Sequence, residues 1–307
     1  MAVMSVVFLL CAIAVVVSQA PLTASKPANR ARELDKYARR MGVAVPAEIE
    51  HRVTARLLRR ERLLTIGGLV GIAVATGVAL LLPAGFDAPY VGVLVFAGAG
   101  VGGSAAAAVA SSTSELSPLT GPRVARSSVP GHADYVPTLE RLGSRLLPPL
   151  ALLTIVAAAV ALNVGALGEA RLTPAYLWGS AGAWLAYAAV AGLVFAELLA
   201  RRILRTGQQA ATTTDLAWND ALRSQALRDL ATAPIAFGFS SILVTFFDVG
   251  SLSDYQGAGA VAAAVGLGLL VLIATIGCTL VVADLVSKPQ QHYWRRLWAD
   301  RAAGAPA

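Results

Sequence analysis

Polar and apolar positions in this chain separate into long blocks, not into the short alternation of a water-soluble fold. Seven runs carry no charged residue, at 1–25, 63–86, 88–114, 146–168, 172–196, 230–247 and 255–283. Each is about 18 residues or longer, the length a helix needs to cross a hydrocarbon core about 30 Å thick. The blocks predict seven spans, at 2–19, 63–82, 90–111, 147–167, 175–196, 234–250 and 257–283. The expected fold class is an all-α polytopic membrane protein: a seven-helix transmembrane bundle with short cytoplasmic helices.

The polar blocks orient that bundle. Segment 26–62 holds eleven Lys and Arg, 112–145 four, 200–233 five and the tail after 284 four, together 24 of the 25 in the chain. The opposite side keeps only Arg171, beside Asp87, Glu169, Asp248 and Asp254. Basic loops stay in the cytoplasm, so the N-terminus is expected outside and the C-terminus inside, as an odd number of spans also requires. The first run admits a second reading, a signal peptide cut after "VVSQA". It lacks a basic leader, and Pro21 would directly follow the cut, so a retained anchor is expected.

The expected organisation is an N-terminal anchor (1–25), a basic cytoplasmic helical segment (26–62), a first hairpin (63–111) and a cytoplasmic loop (112–145). A second hairpin (146–199), an amphipathic cytoplasmic segment (200–233), a third hairpin (234–284) and a basic tail (285–307) follow. "VPAEIEHRV" at 45 and "VPTLERLGSRLL" at 136 share a Val-Pro ahead of a helical pattern. The hairpins read either as three repeats or as unrelated hairpins of similar length. Pro46 suits the first turn of a helix over 46–62 that continues into the second span. Asp215 is expected to cap a helix over 216–230, on which Trp218, Leu222, Ala226 and Leu230 form one row. That helix would lie on the membrane surface or pack under the bundle. Residues 112–134 read as an irregular loop.

Composition agrees with the blocks. The chain is 56% hydrophobic and 14% charged, with a mean hydropathy of +0.65, where a soluble domain carries about 25% charged residues. The net charge of +7 is accounted for by orientation, so no nucleic-acid partner is expected. Arg outnumbers Lys by 22 to 3, a bias of GC-rich genomes that suggests a bacterial plasma (inner) membrane.

One stretch tests this picture. "VGVLVFAGAGVGGSAAAA" at 91 places Gly98, Gly100 and Gly103 in the G-x-G-x-x-G spacing of a dinucleotide site. Such a site requires a parallel sheet, a helix N-terminus in water and an acidic residue about 20 positions on. Glu115 falls near that distance, but no strand leads to it and no strand–helix alternation follows. On a helix, Gly98 and Gly102 share one face, as do Ala99 and Gly103. Small residues at this spacing let membrane helices approach closely. Gly67, Gly68 and Gly71 on the preceding span offer a matching surface, so the glycines predict packing of span three on span two, and no cofactor is expected.

Candidate chemistry is sparse. Cys11 and Cys278 lie in apolar runs, and His51, His132 and His292 are scattered in polar segments, so no metal site is expected. Ser180 in "GSAG" would need a nearby base to act as a nucleophile, and no histidine lies in a span. No catalytic residue is assigned. Polar groups in spans mark pathways by default. The candidate pathway residues are Glu197 and Asp284 at the inner ends of spans five and seven, with Ser240, Ser241, Thr245 and Asp248 along span six. The competing reading is that these hydroxyls bond helix backbone, as Asn163 would in span four. Arg56, Arg59, Arg60 and Arg62, with Arg295 and Arg296 in the aromatic tail "HYWRRLW", are candidate contacts to anionic inner-leaflet lipids. The leading expectation is a non-enzymatic structural or accessory subunit that meets a membrane or cytoplasmic protein through its cytoplasmic helices. The alternative is a small-solute or ion transporter or channel with its pathway near helices five to seven.

Overall fold

The computed structural model describes residues 2–18, 26–45, 47–81, 88–113, 129–164, 173–206, 210, 212–252 and 291–298. Among them the regular elements are all helices. They are α1 (Ala2–Ser18), α2 (Pro27–Met41), α3 (Ala47–Leu81), α4 (Ala88–Thr113) and α5 (His132–Tyr135), then α6 (Thr138–Asn163), α7 (Pro174–Gly179), α8 (Ala181–Arg205), α9 (Thr213–Leu252) and α10 (His292–Leu297). Among the described residues five helical stretches are long and apolar enough to cross a membrane: Ile49–Val78, Val91–Val109, Thr138–Asn163, Ala181–Arg205 and Thr213–Val249. Of the other two expected spans, the first forms α1, whose apolar stretch Leu9–Ser18 is shorter. The seventh, 257–283, lies outside the described residues together with Asp284 and Cys278.

The described residues form two units. The first takes α1 to α5, the start of α6, α8 from Ala196, α9 up to Ala233, and α10. The second takes α6 from Leu142, α7, α8 up to Phe195, and α9 from Pro234.

The first unit has an apolar end and a polar head. At the apolar end α1, α3 and α4 enclose Ala12, Val16, Ile72, Ala75, Val95 and Ala99. The glycine face does what its spacing predicts. A Cβ on Gly67 or Gly102 would run into the other's backbone carbonyl, and one on Gly103 would lie 3.1 Å from Leu64 O. The helices touch backbone to backbone because no side chain stands between them.

The head joins α2, the first half of α3, α5, the end of α8, the first half of α9, and α10. α2 starts with Pro27 and stops at Gly42, whose φ of 72° and ψ of 27° suit glycine. There Val43 N donates to Ala38 O at 3.1 Å and Gly42 N to Arg39 O at 3.3 Å. The inner face of α2 contributes Leu34, Ala38 and Met41 to one buried cluster that also holds Leu57, Tyr135, Trp218, Leu227 and Tyr293. The row Trp218, Leu222, Ala226 and Leu230 is at most 4% exposed, so it packs in the head instead of lying on a membrane surface.

Two expectations about α9 need correction. Its cap is Thr212, whose Oγ1 accepts from Asp215 N at 3.1 Å, which places Asp215 in the first turn. Span six (234–250) is also not separate from the helix expected over 216–230. Pro234 sits inside one continuous 40-residue helix. The missing N–H and the ring clash of an interior proline are offset by packing, since Leu230, Ala231 and Pro234 itself are buried.

In the second unit α6, α7, α8 and α9 bury Ala151, Ile155, Ala159, Leu177, Ala183, Ala186 and Ile242. Expected span five is interrupted. Thr173 caps α7, with Tyr176 N donating to its Oγ1 at 3.2 Å. Ser180 is extended (φ −69°, ψ 162°) and its Oγ accepts from Ala183 N at 3.3 Å, restarting the chain as α8.

Candidate functional site

Most of the described polar chemistry lies in the head, on residues far apart in sequence. Asp220 on α9 is fully buried. One carboxylate oxygen accepts from Tyr135 Oη at 2.9 Å and the other from Trp298 Nε1 at 3.0 Å. Ser224, one turn on, donates to Tyr135 O at 2.7 Å. Tyr293 Oη donates to Met41 O at 2.8 Å, and Trp218 Nε1 donates to Ala44 O at 2.8 Å. Each buried aromatic thus hands its one polar atom to an acceptor, as burial demands. Burial, then the Asp220 charge, pushes the phenols of Tyr135 and Tyr293 up. Tyr37, stacked on Trp218 with centroids 6.4 Å apart, is pushed up to about 12. Burial is the main cause there, with Arg60 opposing it and Asp229 assisting.

A row of arginines on α3 faces α9. Arg60 pairs with Asp229. In the amide orientation that satisfies both neighbours, Gln225 Oε1 accepts from Arg60 at 3.0 and 3.1 Å while its nitrogen donates to Tyr37 Oη. Arg52 Nη2 stands 3.6 Å from Asp215 Oδ1. Between them Arg56 Nη1 reaches Asn219 Oδ1 at 3.3 Å. Arg228 of α9 grips Glu140 with Nε contacts of 2.9 and 2.8 Å. Ile49, Arg52, Val53, Arg56, Asp215, Trp218, Asn219 and Leu222 line a small cleft of about 10 Å³, the space of a single water.

The residues singled out from sequence fall in different places. Arg56 and Arg60 turn into the head, where they meet Asn219 and Asp229, while Arg59, Arg62, Arg295 and Arg296 are exposed. The tail is not a free aromatic anchor: Tyr293 is 0% and Trp298 7% exposed, both inside the head. Glu197 is half-buried and belongs to the first unit; Ser240, Ser241, Thr245 and Asp248 belong to the second and are all buried. Ser241 Oγ donates to Gly182 O on α8 at 2.7 Å, so it bonds a neighbouring helix and not its own. Thr245 Oγ1 crowds the site where a Gly182 Cβ would be, and finds no hydrogen-bond partner among the described residues. Asn163 Nδ2 donates to Ala159 O in its own helix at 2.9 Å. No group of three or more His, Cys, Asp or Glu is placed to hold a metal among the described residues.

Sequence reading missed the Asp220–Tyr135–Trp298 knot. Its one local signal was a carboxylate on the inner face of an amphipathic helix, one turn before Ser224. Compared with protein-family models, curated proteins and solved structures, the chain finds no match in any of the three.

Proposed function

We propose that the chain is a non-enzymatic membrane subunit that presents its head to a protein partner on the cytoplasmic face of a bacterial plasma membrane. The supporting observation is mechanical. α3 and α9 each run unbroken from the head into an apolar stretch, so a load on the head passes directly into membrane helices. Several ionisable groups of the head are committed to partners: Arg60 to Asp229, Arg228 to Glu140, and Asp220 to its aromatic donors. Groups so committed build structure; chemistry needs groups left open to a substrate. Exposed Arg59, Arg62, Arg295 and Arg296 would steady the head against anionic lipid, at about 1 kcal/mol each near such a surface. Purification from native membranes after crosslinking, followed by mass spectrometry, tests the proposal. A stoichiometric protein crosslinked to head residues is expected. A chain recovered alone that moves ions or solutes once reconstituted would overturn it.

The transporter reading is favoured by one observation, the buried hydroxyl of Thr245, which has no hydrogen-bond partner among the described residues, beside Ser241 and Gly182. Polar groups left unmet in a span are costly and often serve a passing solute.

A further inference from the structure

The segment 291–298 meets the head through five polar contacts on three other parts of the chain. Two are buried: Tyr293 Oη donates to Met41 O at 2.8 Å, and Trp298 Nε1 donates to Asp220 Oδ2 at 3.0 Å. Three lie at its edge. Gln291 Nε2 donates to Arg39 O at 3.4 Å, His292 Nε2 donates to Ala133 O at 3.1 Å, and Arg296 Nε stands 3.8 Å from Asp134 Oδ1. In each of the five the segment brings the N–H, the O–H or the cation, and the head brings a carbonyl or a carboxylate. The seat under the segment is therefore built of acceptors, on α2, α5 and α9. Met41 O belongs to the last turn of α2, whose carbonyls have no partner inside their own helix. Gly42 N and Val43 N answer Arg39 O and Ala38 O locally; Tyr293 answers Met41 O from 252 positions away. α10 itself is six residues long. A helix shorter than about 12 residues does not hold in water alone, so the segment takes its shape from the seat, and its folding and its docking are one event.

We infer that this seat is a docking groove for a short aromatic, basic peptide helix, and that the chain's own tail fills it in cis as a releasable strap. The seat fixes the chemistry of what fits. It takes two ring-borne donors five residues apart, a Tyr hydroxyl on Met41 O and a Trp N–H on Asp220, with a cation toward Asp134. An acidic segment is repelled by Asp134 and Asp220, and an aliphatic one leaves buried oxygens unanswered. A partner segment of the same chemistry competes with the tail. A ligand tethered in cis acts as a competitor at about millimolar concentration, so the tail sets the threshold that a partner must exceed. That last role rests on the accessory-subunit reading; the exchange itself does not, and it is measured without a partner.

The experiment uses the full chain in nanodiscs, with a site for a specific protease inserted between Lys288 and Pro289, and a fluorescent peptide of residues 289–300. Anisotropy of the peptide is the readout. Once the chain is cut, the tail is free to leave, and the peptide should bind saturably, about a hundredfold more tightly than to the uncut chain. Variants are made in the peptide, so the protein's own folding is untouched. Trp298→Phe keeps a ring but removes the donor to Asp220, and should weaken binding about tenfold or more. Tyr293→Phe should weaken it too, and a scrambled peptide of equal composition should not bind. Hydrogen exchange in the last turn of α2 should quicken on cutting and slow again when the parent peptide is added. A cut chain that keeps its tail against a large excess of peptide, a scrambled peptide that binds like the parent, or a Trp298→Phe peptide that binds like the parent overturns the inference. A chain that exchanges its tail, yet from which crosslinking recovers no partner, supports the groove and overturns the accessory-subunit reading alone.

Discussion

The carbonyl oxygen of Gly71 lies 2.5 Å from the point where a Cβ on Gly98 would stand. α3 and α4 therefore meet main chain to main chain, and any side chain at either position must push the helices apart. Gly98→Val is expected to destabilise the protein by about 2–3 kcal/mol, at the upper end of overpacking. Gly100, two residues on, would meet nothing within 4 Å. Gly100→Ala should hold or raise the midpoint, by up to about 1 kcal/mol of helix propensity. Thermal melting in detergent checks both. Equal effects of the two substitutions would contradict the packing, and a midpoint raised by added NAD would revive the dinucleotide reading.

Asp220 takes one donor from Tyr135 and one from Trp298, residues 85 and 78 positions away. Asp220→Ala leaves two buried donors unanswered, at about 1–3 kcal/mol each. The loss should appear first at the tail, because Trp298 is then held by stacking on Trp294 at 5.4 Å and by packing alone. Limited trypsin digestion should cut at Arg295 and Arg296 several-fold faster than in the parent. Asp220→Asn keeps one acceptor and should fall between the two. Unchanged cutting in Asp220→Ala would show that the carboxylate does not anchor the tail.

These two relationships were not equally legible in the sequence. The glycine contact needs only a spacing of four on a helix and the absence of a Cβ, both printed in the sequence. Long charge-free runs likewise marked the five apolar helices, because crossing a membrane requires length and apolarity and nothing else. The Asp220 knot joins three segments whose partners are fixed only by the tertiary fold, and no local period reports that. Pro234, which falls where the expected helices over 216–230 and 234–250 part, is hard to read locally for a related reason. Its local preference is to end a helix, but the packing of Leu230, Ala231 and Pro234 outweighs one lost backbone bond. Composition does not place the tail's rings either, since a Trp-, Tyr- and Arg-rich stretch reads the same whether its rings meet lipid headgroups or an internal acceptor.

The phenols of the head should resist alkali. Tyr37 is held up to about 12 chiefly by burial, and Tyr135 and Tyr293 are raised by burial and the Asp220 charge. The folded head favours the neutral phenol in each. The stability these groups contribute is whole below pH 10, the ordinary phenol value, and is lost as pH climbs through the folded values, from 10 to about 12 for Tyr37. Phenolate absorbance should rise for part of the seven tyrosines near pH 10 and for the rest only as helical circular dichroism collapses. Tyr37→Phe keeps the ring on Trp218 and should flatten the loss of stability between pH 10 and 12. A single step of all tyrosines near pH 10 in a folded protein would contradict the buried head.

Ser241 and Thr245 lie four residues apart on α9, on one face, yet their hydroxyls have different fates. Ser241 Oγ bonds Gly182 O at 2.7 Å, and interhelical bonds of this kind in membranes average about 0.6 kcal/mol. Ser241→Ala should cost about that much. Thr245 Oγ1 is buried without a partner among the described residues, and a hydroxyl in that position costs free energy that Val, nearly the same shape, does not. Thr245→Val should therefore leave the midpoint unchanged or raise it, by up to about 1 kcal/mol, if α8 and α9 merely pack here. If the hydroxyl serves a solute, the same substitution should abolish uptake into proteoliposomes while stabilising the protein. Cysteines at 240, 241 and 245 add a direct measure of water. A small charged thiol reagent that labels any of them at the rate of a cysteine at Thr173, an exposed position just before α7, would establish a wet path. Protection of all three, with Thr173→Cys labelled, would leave a dry helix contact and, with it, the accessory-subunit reading.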